Sequence, residues 1–209
     1  MLPTPLFPTG FVAIDVPVDA ARRHARRLIR AERCLIGLPE LVVAALGTVA
    51  ERFPHCFGAY VDPGAVRLAE RIDVGVTMDV GRGLHVPVVR DVAATPIADI
   101  AKVLMRFRLA AMRGGFRAGD LTGANVLLAL HTDDDISIAV PIVLPGTVCA
   151  LSLAGQQQVV RLDDDGMPVS HTVVRLGVAY DHRVVNGAEA AELLRAVREV
   201  LQYPGSEPG

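Results

Sequence analysis

LGVAYDHRVVNGAEAAELLRAV, residues 176–197, contains the end of a strand, a tight turn and the start of a helix. The β-branched residues at 172–180 predict the strand. A helix is predicted at 188–201, where Ala191, Leu194, Val197 and Leu201 form one apolar stripe. The short turn carries His182, and a turn on a rigid scaffold is where folds often present functional side chains.

This turn has two interpretations. Histidine titrates near neutral pH and is the commonest general base, so His182 is a candidate catalytic base. Asn186 followed by Glu189 has the spacing of a capping box, in which Asn186 accepts from the third helical amide and Glu189 reaches back. The cap explains Asn186 and Gly187 without chemistry, and it leaves His182 unexplained.

The rest of the chain mixes helices with strands. Further helices are predicted at 18–33, 38–53 and 97–113. Strands are predicted at 10–16, 65–69, 73–77, 85–89, 125–130, 136–140, 148–153 and 157–162. The aspartate-rich stretches at 133–135 and 163–166 are predicted to be solvated hairpin turns and not cation sites. This order predicts a single α+β layer structure.

Composition limits the classes of partner. The net charge of −2 and the absence of tryptophan disfavour nucleic acid. Three widely spaced cysteines fit neither a disulfide framework nor a metal site, which predicts a reducing, cytoplasmic environment. The other histidines lack the i, i+4 pairing of a helical metal site. Neither a signal peptide nor a membrane span is indicated, because the apolar run 35–50 is interrupted by Pro39 and Glu40.

Three separated segments resemble, in order, the catalytic domain of the dihydrolipoyl acyltransferases of 2-oxoacid dehydrogenase complexes, a family related to chloramphenicol acetyltransferase. RIDVGVTMDVGRGLHVPVVRD at 71–91 is similar to a family run ending in RGLxVPVxR. PIVLPGTVCALSLAG at 141–155 is similar to PIINPPQVAILGVG. The opening stretch resembles the hallmark His-x-x-x-Asp-Gly. The resemblance covers 10–203 as one catalytic domain, with 1–9 as a lead-in and 204–209 as a short tail.

The resemblance implies a fold and an activity. The fold would be a chloramphenicol acetyltransferase-like mixed sheet with flanking helices. The protein would be a homotrimer with active sites between neighbouring subunits. His182 would be the general base that deprotonates an acceptor for attack on the thioester of acetyl-CoA, and no metal would be needed. His85 and Asn125 lie in matching segments as further candidates to face the active-site channel.

Two departures from the family pattern concern the site. Asn186 stands where the hallmark has aspartate, and the resemblance implies that this side chain acts mainly in the local structure around His182. A gap-free count back from Pro141 places Ala129 where the family has the serine or threonine that stabilises the oxyanion. Loss of one such donor typically costs about 10²–10³ in rate. Thr132 and Ser137 are the nearby hydroxyl candidates.

Two further departures concern assembly. The only lysine, Lys102, lies within a predicted helix, so no lipoyl group is expected on this chain. The tail REVLQYPGSEPG lacks the apolar extension by which family trimers contact one another, which favours a lone trimer. The resemblance is greatest to freestanding members of tetronate pathways. It implies acetyl transfer to a hydroxyl of a small-molecule or carrier-bound acceptor, such as a tetronate polyketide intermediate in antibiotic biosynthesis.

Two alternatives stay open. Ala129 favours a catalytically silent relative that binds an acyl carrier or a partner subunit and serves assembly. Alternatively, the pocket catalyses elimination or cyclisation of a polyketide, which needs His182 as a base but no donor for an acyl oxyanion.

Overall fold

The computed structural model describes residues 8–62, 64–79, 81, 83–131 and 133–204. The first half contains β1 (Thr9–Pro17), α1 (Asp19–Glu32), α2 (Leu38–Val49), β2 (Ala59–Asp62), β3 (Ala65–Arg67), β4 (Val74–Val76), β5 (Met78–Asp79), β6 (Leu84–His85) and β7 (Val88–Val89). The second half contains α3 (Ile97–Arg113), β8 (Val126–Leu130), β9 (Cys149–Leu162), β10 (Pro168–Asp181) and α4 (Gly187–Gln202). Short 3₁₀ turns lie at Ala50–Arg52, Pro54–Phe57 and Ala118–Asp120.

Six strands form one mixed sheet in the order β1-β10-β9-β8-β4-β7. β10 runs antiparallel to β1 and β9, whereas β8 is parallel to both β9 and β4. Two small two-stranded sheets, β2-β3 and β5-β6, lie outside it. The predicted α+β class and the mixed sheet with flanking helices are therefore confirmed.

The two faces of the central sheet differ. Successive side chains of a strand point to opposite faces. One set, including Leu128, Leu151, Leu176 and Val178, packs into the main core together with the apolar sides of the helices. The alternate set carries small residues in one row across four strands, where Ala13, Gly177, Ser152 and Ala129 are consecutive register partners.

A buried carboxylate joins the beginnings of β4 and β8. Asp73 accepts from Arg71 Nε at 3.0 Å, from Arg90 Nη1 at 2.9 Å and from the Asp91 amide at 2.9 Å. Asn125 Oδ1 accepts from the Asp73 amide at 2.7 Å. Burial raises the pKa of Asp73, but the hydrogen bonds from Asp91, Arg90 and Arg71 outweigh it and the net pKa is lowered.

Several predicted boundaries are wrong. The strands predicted at 148–153 and 157–162 are one continuous strand, β9. The strand continues through Gly155. A Cβ at that position would overlap the Asp133 carbonyl, so glycine there permits the close approach of two backbones. The segment 136–140 is not a strand. Its apolar residues Ile138 and Val140 face outward instead of completing a sheet within the described chain.

Other differences are smaller. The strand predicted at 85–89 is two short strands separated by Pro87, and the one at 65–69 ends at Arg67. The helix predicted at 38–53 ends as an α-helix at Val49. Helix 97–113 has the predicted bounds. The turn at 163–166 joins β9 to β10 as predicted, whereas the one at 133–135 is a turn outside any hairpin. No helix in the described ranges is long and apolar enough to cross a membrane.

Candidate active site

The turn that carries His182 is fixed at its backbone. β10 ends at Asp181 and α4 begins at Gly187. The His182 amide donates to the Pro8 carbonyl at 2.7 Å, and the Asp181 carbonyl accepts from the amides of Val184 and Val185, each at 3.0 Å. The His182 side chain is exposed. A rigid turn therefore presents the imidazole to the outside of the single chain.

Asp181 organises this turn through its buried carboxylate. Oδ1 accepts from the Arg183 amide at 3.0 Å and from Arg183 Nε at 2.9 Å. The Arg183 guanidinium also lies 3.8 Å from the centre of the Tyr60 ring. Burial raises the pKa of Asp181, but the hydrogen bonds from Arg183 outweigh it and the net pKa is lowered. The carboxylate is therefore ionised at neutral pH and engaged by Arg183.

The ring of Tyr180 packs against the imidazole of His182. Its ring centre lies 5.5 Å from that of His182, and the tyrosine is buried. Gly10 is its register partner on β1, and a Cβ at Gly10 would overlap the Tyr180 ring. A Cβ on Gly187 would lie 3.2 Å from the Tyr180 hydroxyl. The two glycines thus give the ring the room it needs beneath His182.

One half of the predicted capping box is present at Asn186, whereas the Glu189 side chain does not reach back to the Asn186 amide in the described structure. Asn186 Oδ1 accepts from the Glu189 amide at 3.0 Å, and the Asn186 backbone is extended, as at an ordinary N-cap. The Glu189 carboxylate lies 3.9 Å from Nδ1 of His55. Asn186 therefore fixes the start of α4, four residues beyond His182, and its side-chain contact is structural.

Cys149 is a second reactive residue type close to this turn, because it is the register partner of Tyr180 on β9. The hydrogen bond with Cys56, together with burial, raises the pKa of Cys149 well above its usual value. Both cysteines are fully buried and not disulfide-bonded. A thiol needs the thiolate form to act as a nucleophile, so Cys149 is not suited to covalent catalysis, and Cys56 is too buried to meet a substrate.

Ala129, where the resemblance implies a serine or threonine, lies near the carboxyl end of β8. It is half-buried and its register partner on β9 is Ser152. Ser152 is buried, and a Cβ on Gly177 would come within 2.7 Å of its Oγ. Ser137, one predicted oxyanion candidate, is half-buried beyond the end of β8. Thr132, the other, lies outside the described residues.

The register shows how far apart the two regions are. The row of Ala129 crosses β10 at Gly177, five residues before His182. At about 3.3 Å per residue, this separates them by roughly 16 Å along the strand, and β8 lies two strands from β10. One chain therefore does not bring His182 together with Ala129 or with the segment that contains Ser137.

The other candidates have structural contacts. Asn125 holds the Asp73 amide, and the His85 ring stacks against Phe116 with centres 4.9 Å apart. Sequence reasoning missed Gly10, Tyr180 and Asp181. The alternation of β10 indicated that Tyr180 points inward, but its partner Gly10 becomes recognisable only once the register of β1 is known.

Comparison with known proteins identifies the family of this chain. Residues 11–206 match the family of 2-oxoacid dehydrogenases acyltransferase (catalytic domain). The dihydrolipoyllysine-residue succinyltransferase component of the 2-oxoglutarate dehydrogenase complex of Cupriavidus necator is 25% identical over 189 residues, which are 90% of this chain and 44% of that protein. The chain thus spans less than half the length of this relative.

Solved structures show the same fold. The dihydrolipoamide acetyltransferase of Azotobacter vinelandii superposes with a TM-score of 0.85 at 19% identity, covering 94% of this chain and 82% of that one. Chloramphenicol acetyltransferase superposes with a TM-score of 0.58 at 16% identity, covering 93% and 88%. The predicted chloramphenicol acetyltransferase-like fold is confirmed. The relatives are acyltransferases, and this chain belongs to the 2-oxoacid dehydrogenase acyltransferase family, in the part that corresponds to its catalytic domain.

Proposed function

We propose that this protein transfers an acetyl group from acetyl-CoA to a hydroxyl of a small-molecule or carrier-bound acceptor, with His182 as the general base. The observation that carries the proposal is the exposed imidazole of His182 on a turn fixed by Pro8, Asp181 and Arg183. Membership of the family supports acyl transfer as the reaction class. Asn186 contributes by fixing the first turn of α4 behind the histidine.

The reaction proceeds by addition and elimination at the thioester. His182 accepts the proton of the acceptor hydroxyl while its oxygen forms a bond to the thioester carbonyl carbon. The carbonyl oxygen carries the negative charge of the tetrahedral intermediate. The intermediate collapses with cleavage of the carbon–sulfur bond, and the protonated imidazole returns its proton to the departing CoA sulfur. The products are an acetyl ester and CoA, and His182 is neutral again.

Each site is completed by a second subunit in the homotrimer that we propose. His182 is exposed, and the Ala129 region of the same chain is roughly 16 Å away along the strand. Two chains can bring the His182 turn of one against the Ala129 row of the other. That row consists of small residues on the face opposite the helices; Gly177 and Ser152 are already covered within one chain, and Ala129 remains half-buried and available to face a neighbouring subunit.

Exposed apolar residues support this assembly. Large exposed patches commonly mark interfaces. Two segments carry them, the stretch after the turn at 133–135 and the end of the β9–β10 hairpin, and their exposed members are Ile138, Val140, Ile142, Leu144, Val160, Leu162, Met167 and Val169. The outward-facing residues of 136–140, which find no sheet partner among the described residues, are accounted for if a neighbouring subunit covers them.

The oxyanion donor is the least conventional part of the proposal. Ala129 offers no hydroxyl, so the charge is stabilised by Ser137 or Thr132, the two nearby hydroxyl residues in the sequence. Ser152 is the register partner of Ala129, and this buried residue has its Oγ beside Gly177. A single donor is worth about 10²–10³ in rate, so His182 and substrate binding supply the remaining acceleration.

The acceptor that we propose is the hydroxymethyl group of a tetronate polyketide intermediate in antibiotic biosynthesis. This rests on the resemblance to freestanding members of the family. Lys102 lies within α3 with its Nζ 2.7 Å from Asp99, and a lysine in a helix is not placed for lipoylation. The free cysteines fit our further proposal of a cytoplasmic location.

A second candidate function is supported by Ala129. Without a hydroxyl there, the protein would be a catalytically silent relative that binds an acyl carrier or a partner and serves assembly. A base-catalysed elimination or cyclisation is the third, since it needs His182 but no oxyanion donor. The three functions predict different dependence on CoA and on His182.

An acetyl-transfer assay tests the proposal. The purified protein is incubated with radiolabelled acetyl-CoA and a panel of hydroxymethyl acceptors, beside His182→Ala. We expect an acetylated product and a loss of about 10²–10⁴ in rate for His182→Ala. His24→Ala, which removes another solvent-accessible histidine on α1, is the matched control and retains the wild-type rate.

The contrary outcomes separate the alternatives. Absence of both CoA binding and transfer with every acceptor would contradict the acyltransferase and favour the binding protein. A product formed without CoA, and lost in His182→Ala, would indicate elimination or cyclisation.

A further inference from the structure

Helix α1 carries a stripe of arginines on its outer side. Arg23, Arg26, Arg27 and Arg30 recur at helical spacing and are exposed, opposite the buried residues Ala21 and Ala25. These four arginines are the basic stripe. Arg33 is also exposed and ends the helix in a left-handed conformation with φ 52°. From Arg23 to Arg33 the cationic surface extends about 15 Å at 1.5 Å per residue.

The basic stripe leads into an apolar groove. Beyond Arg33, Cys34 and Leu35 form one wall of a groove of about 590 Å³, and α3 forms the other. The exposed apolar side chains include Leu35 and Leu109, which are 59% and 38% exposed. Lys102, Arg106 and Arg113 of α3 also line the groove. We refer to it as the α1–α3 groove.

The cationic side chains in and near the α1–α3 groove differ in whether a carboxylate pairs with them. Lys102 is paired with Asp99 and Arg106 with Asp120. Arg30, Arg33 and Arg113 have no carboxylate within ion-pair distance among the described residues. The groove thus combines an apolar floor with one cation unpaired within the described chain, Arg113, and the unpaired Arg30 and Arg33 lie at the end of α1 that leads to it.

The groove lies at the Ala129 end of the molecule. Leu38 at the start of α2 lines a small cavity with Leu130 and His131, which follow Ala129. On the other side of the same helix start, Glu40 accepts from Arg108 of α3 at 2.7 Å. The groove therefore lies on the helix side of the sheet, near the end of β8 where Leu130 and His131 follow Ala129.

We propose that the basic stripe and the α1–α3 groove dock an acidic amphipathic helix of an acyl carrier domain, which delivers a thioester-bound substrate to the Ala129 end. This rests on the proposed function, since the carrier holds the acceptor or acyl group. Carboxylates on one face of such a helix pair with the arginines, and its apolar residues cover Leu35 and Leu109. The cationic surface is longer than one nucleotide diphosphate, which favours a protein partner over free CoA.

Binding is tested with the phosphopantetheinylated acyl carrier protein of Escherichia coli fatty-acid synthesis as the probe. We expect saturable binding to the full chain that weakens as salt rises. Arg23→Glu/Arg30→Glu reverses two charges of the basic stripe and should weaken binding at least 10-fold. A glutamate at position 23 interacts favourably with the N-terminal end of the α1 dipole, and one at position 30 interacts unfavourably with the C-terminal end. The two effects on helix stability therefore oppose each other. Leu35→Asp should weaken it as well.

The matched control is Arg67→Glu/Arg195→Glu, which reverses two exposed arginines on β3 and α4. It should bind the carrier within twofold of wild type. Equal binding by wild type and Arg23→Glu/Arg30→Glu, or no saturable binding by wild type, overturns the docking proposal. Displacement of the carrier by duplex DNA at equal concentration would also overturn the proposal, because it would show that the surface binds polyanions in general.

Transfer from free acetyl-CoA to a free acceptor separates this proposal from the proposed function. The docking proposal predicts that Arg23→Glu/Arg30→Glu retains acetyl transfer from free acetyl-CoA but no longer binds the carrier protein. If wild type shows no such transfer but binds the carrier in a way that the variant abolishes, docking stands and the proposed function fails.

Discussion

The two ends of the central sheet are built differently. The His182 end is fixed by directional polar contacts, since Asp181 and Asp73 are buried carboxylates that each bind arginine and a backbone amide. The Ala129 end is a row of small side chains across four strands. One end holds a reactive group in place by polar contacts, and the other is a closely packed row of small side chains that ends at the half-buried Ala129. Neither end alone has the composition of a complete acyltransferase site.

The difference shows where sequence changes are tolerated. A base must be held within a fraction of an ångström of its productive position, so the turn around His182 needs rigid support. A wall that shapes a channel needs only the right volume. Substitution of the hallmark aspartate by Asn186 keeps the cap, whereas the alanine at 129 removes a chemical group and leaves the backbone unchanged. The predictions below test this contrast.

Asp181→Ala should have the largest effect, because it removes the carboxylate that holds the His182 turn. We expect the free energy of unfolding to fall by about 1–3 kcal/mol, since Arg183 is partly exposed and can be solvated. The rate of acetyl transfer should fall about 10-fold to 100-fold through displacement of His182. Urea unfolding and steady-state kinetics measure the two quantities. Unchanged kcat would show that Asp181 does not position the base.

Gly177→Ala tests the volume of the small row. The new Cβ would lie 2.7 Å from Ser152 Oγ and 2.8 Å from the Phe11 ring, which is closer than normal contact. We expect a loss of about 1–3 kcal/mol of unfolding free energy by overpacking. Gly115→Ala is the control, because nothing lies within 4 Å of its Cβ position. Equal stability of the two variants would contradict a closely packed row.

The free energy of unfolding should fall at low pH because of two carboxylates at the His182 end of the sheet. The folded-state pKa values of Asp181 and Asp73 are lowered, so each carboxylate stabilises the fold fully above the ordinary aspartate pKa of about 3.9. This contribution is lost as the pH falls through that value toward the lowered one. Urea midpoints measured from pH 7 to pH 3 should fall more steeply for wild type than for Asp181→Asn. Parallel curves would contradict the pairing.

Ala129→Ser should have the smallest effect. Ala129 is half-buried in a row that already contains Ser152, so we expect the unfolding free energy to change by no more than about 0.5 kcal/mol. Acetyl transfer should be equal to wild type or faster, because a hydroxyl is restored to the wall. Thermal unfolding and kcat check this. A misfolded variant would show that the register assigned to this segment is wrong.

Much of the fold could be predicted from sequence because its signals are local. Helix 97–113, the Asn186 cap and the hairpin turn at 163–166 each depend on neighbouring residues. Segment 136–140 has the pattern of a strand and forms none within one chain. The division of 148–162 into two strands was wrong, and the role of Gly155 within β9 depends on the Asp133 backbone, which is distant in sequence.

In the candidate site, too, only the features with local sequence signals could be predicted. His182 could be found because a strand, a turn and a helix frame it within a few residues. The support from Gly10 and Tyr180 could not, since it depends on the pairing of the first and last strands. The separation of His182 from Ala129 also follows only from the register of three strands.

A mixed-subunit assay tests most directly whether the two ends meet across subunits. His182→Ala removes the base, and Ala129→Arg blocks the wall, so each variant alone should be inactive. They are co-expressed with different affinity tags in equal amounts, and mixed trimers are purified through both tags after random assembly. If each site takes His182 from one chain and the wall from the next, every purified mixed trimer has both intact parts at one of its three sites, which is about a third of all sites. We predict that mixing restores acetyl transfer to about that fraction of wild type. Mixed trimers as inactive as either variant alone would contradict a site shared between subunits.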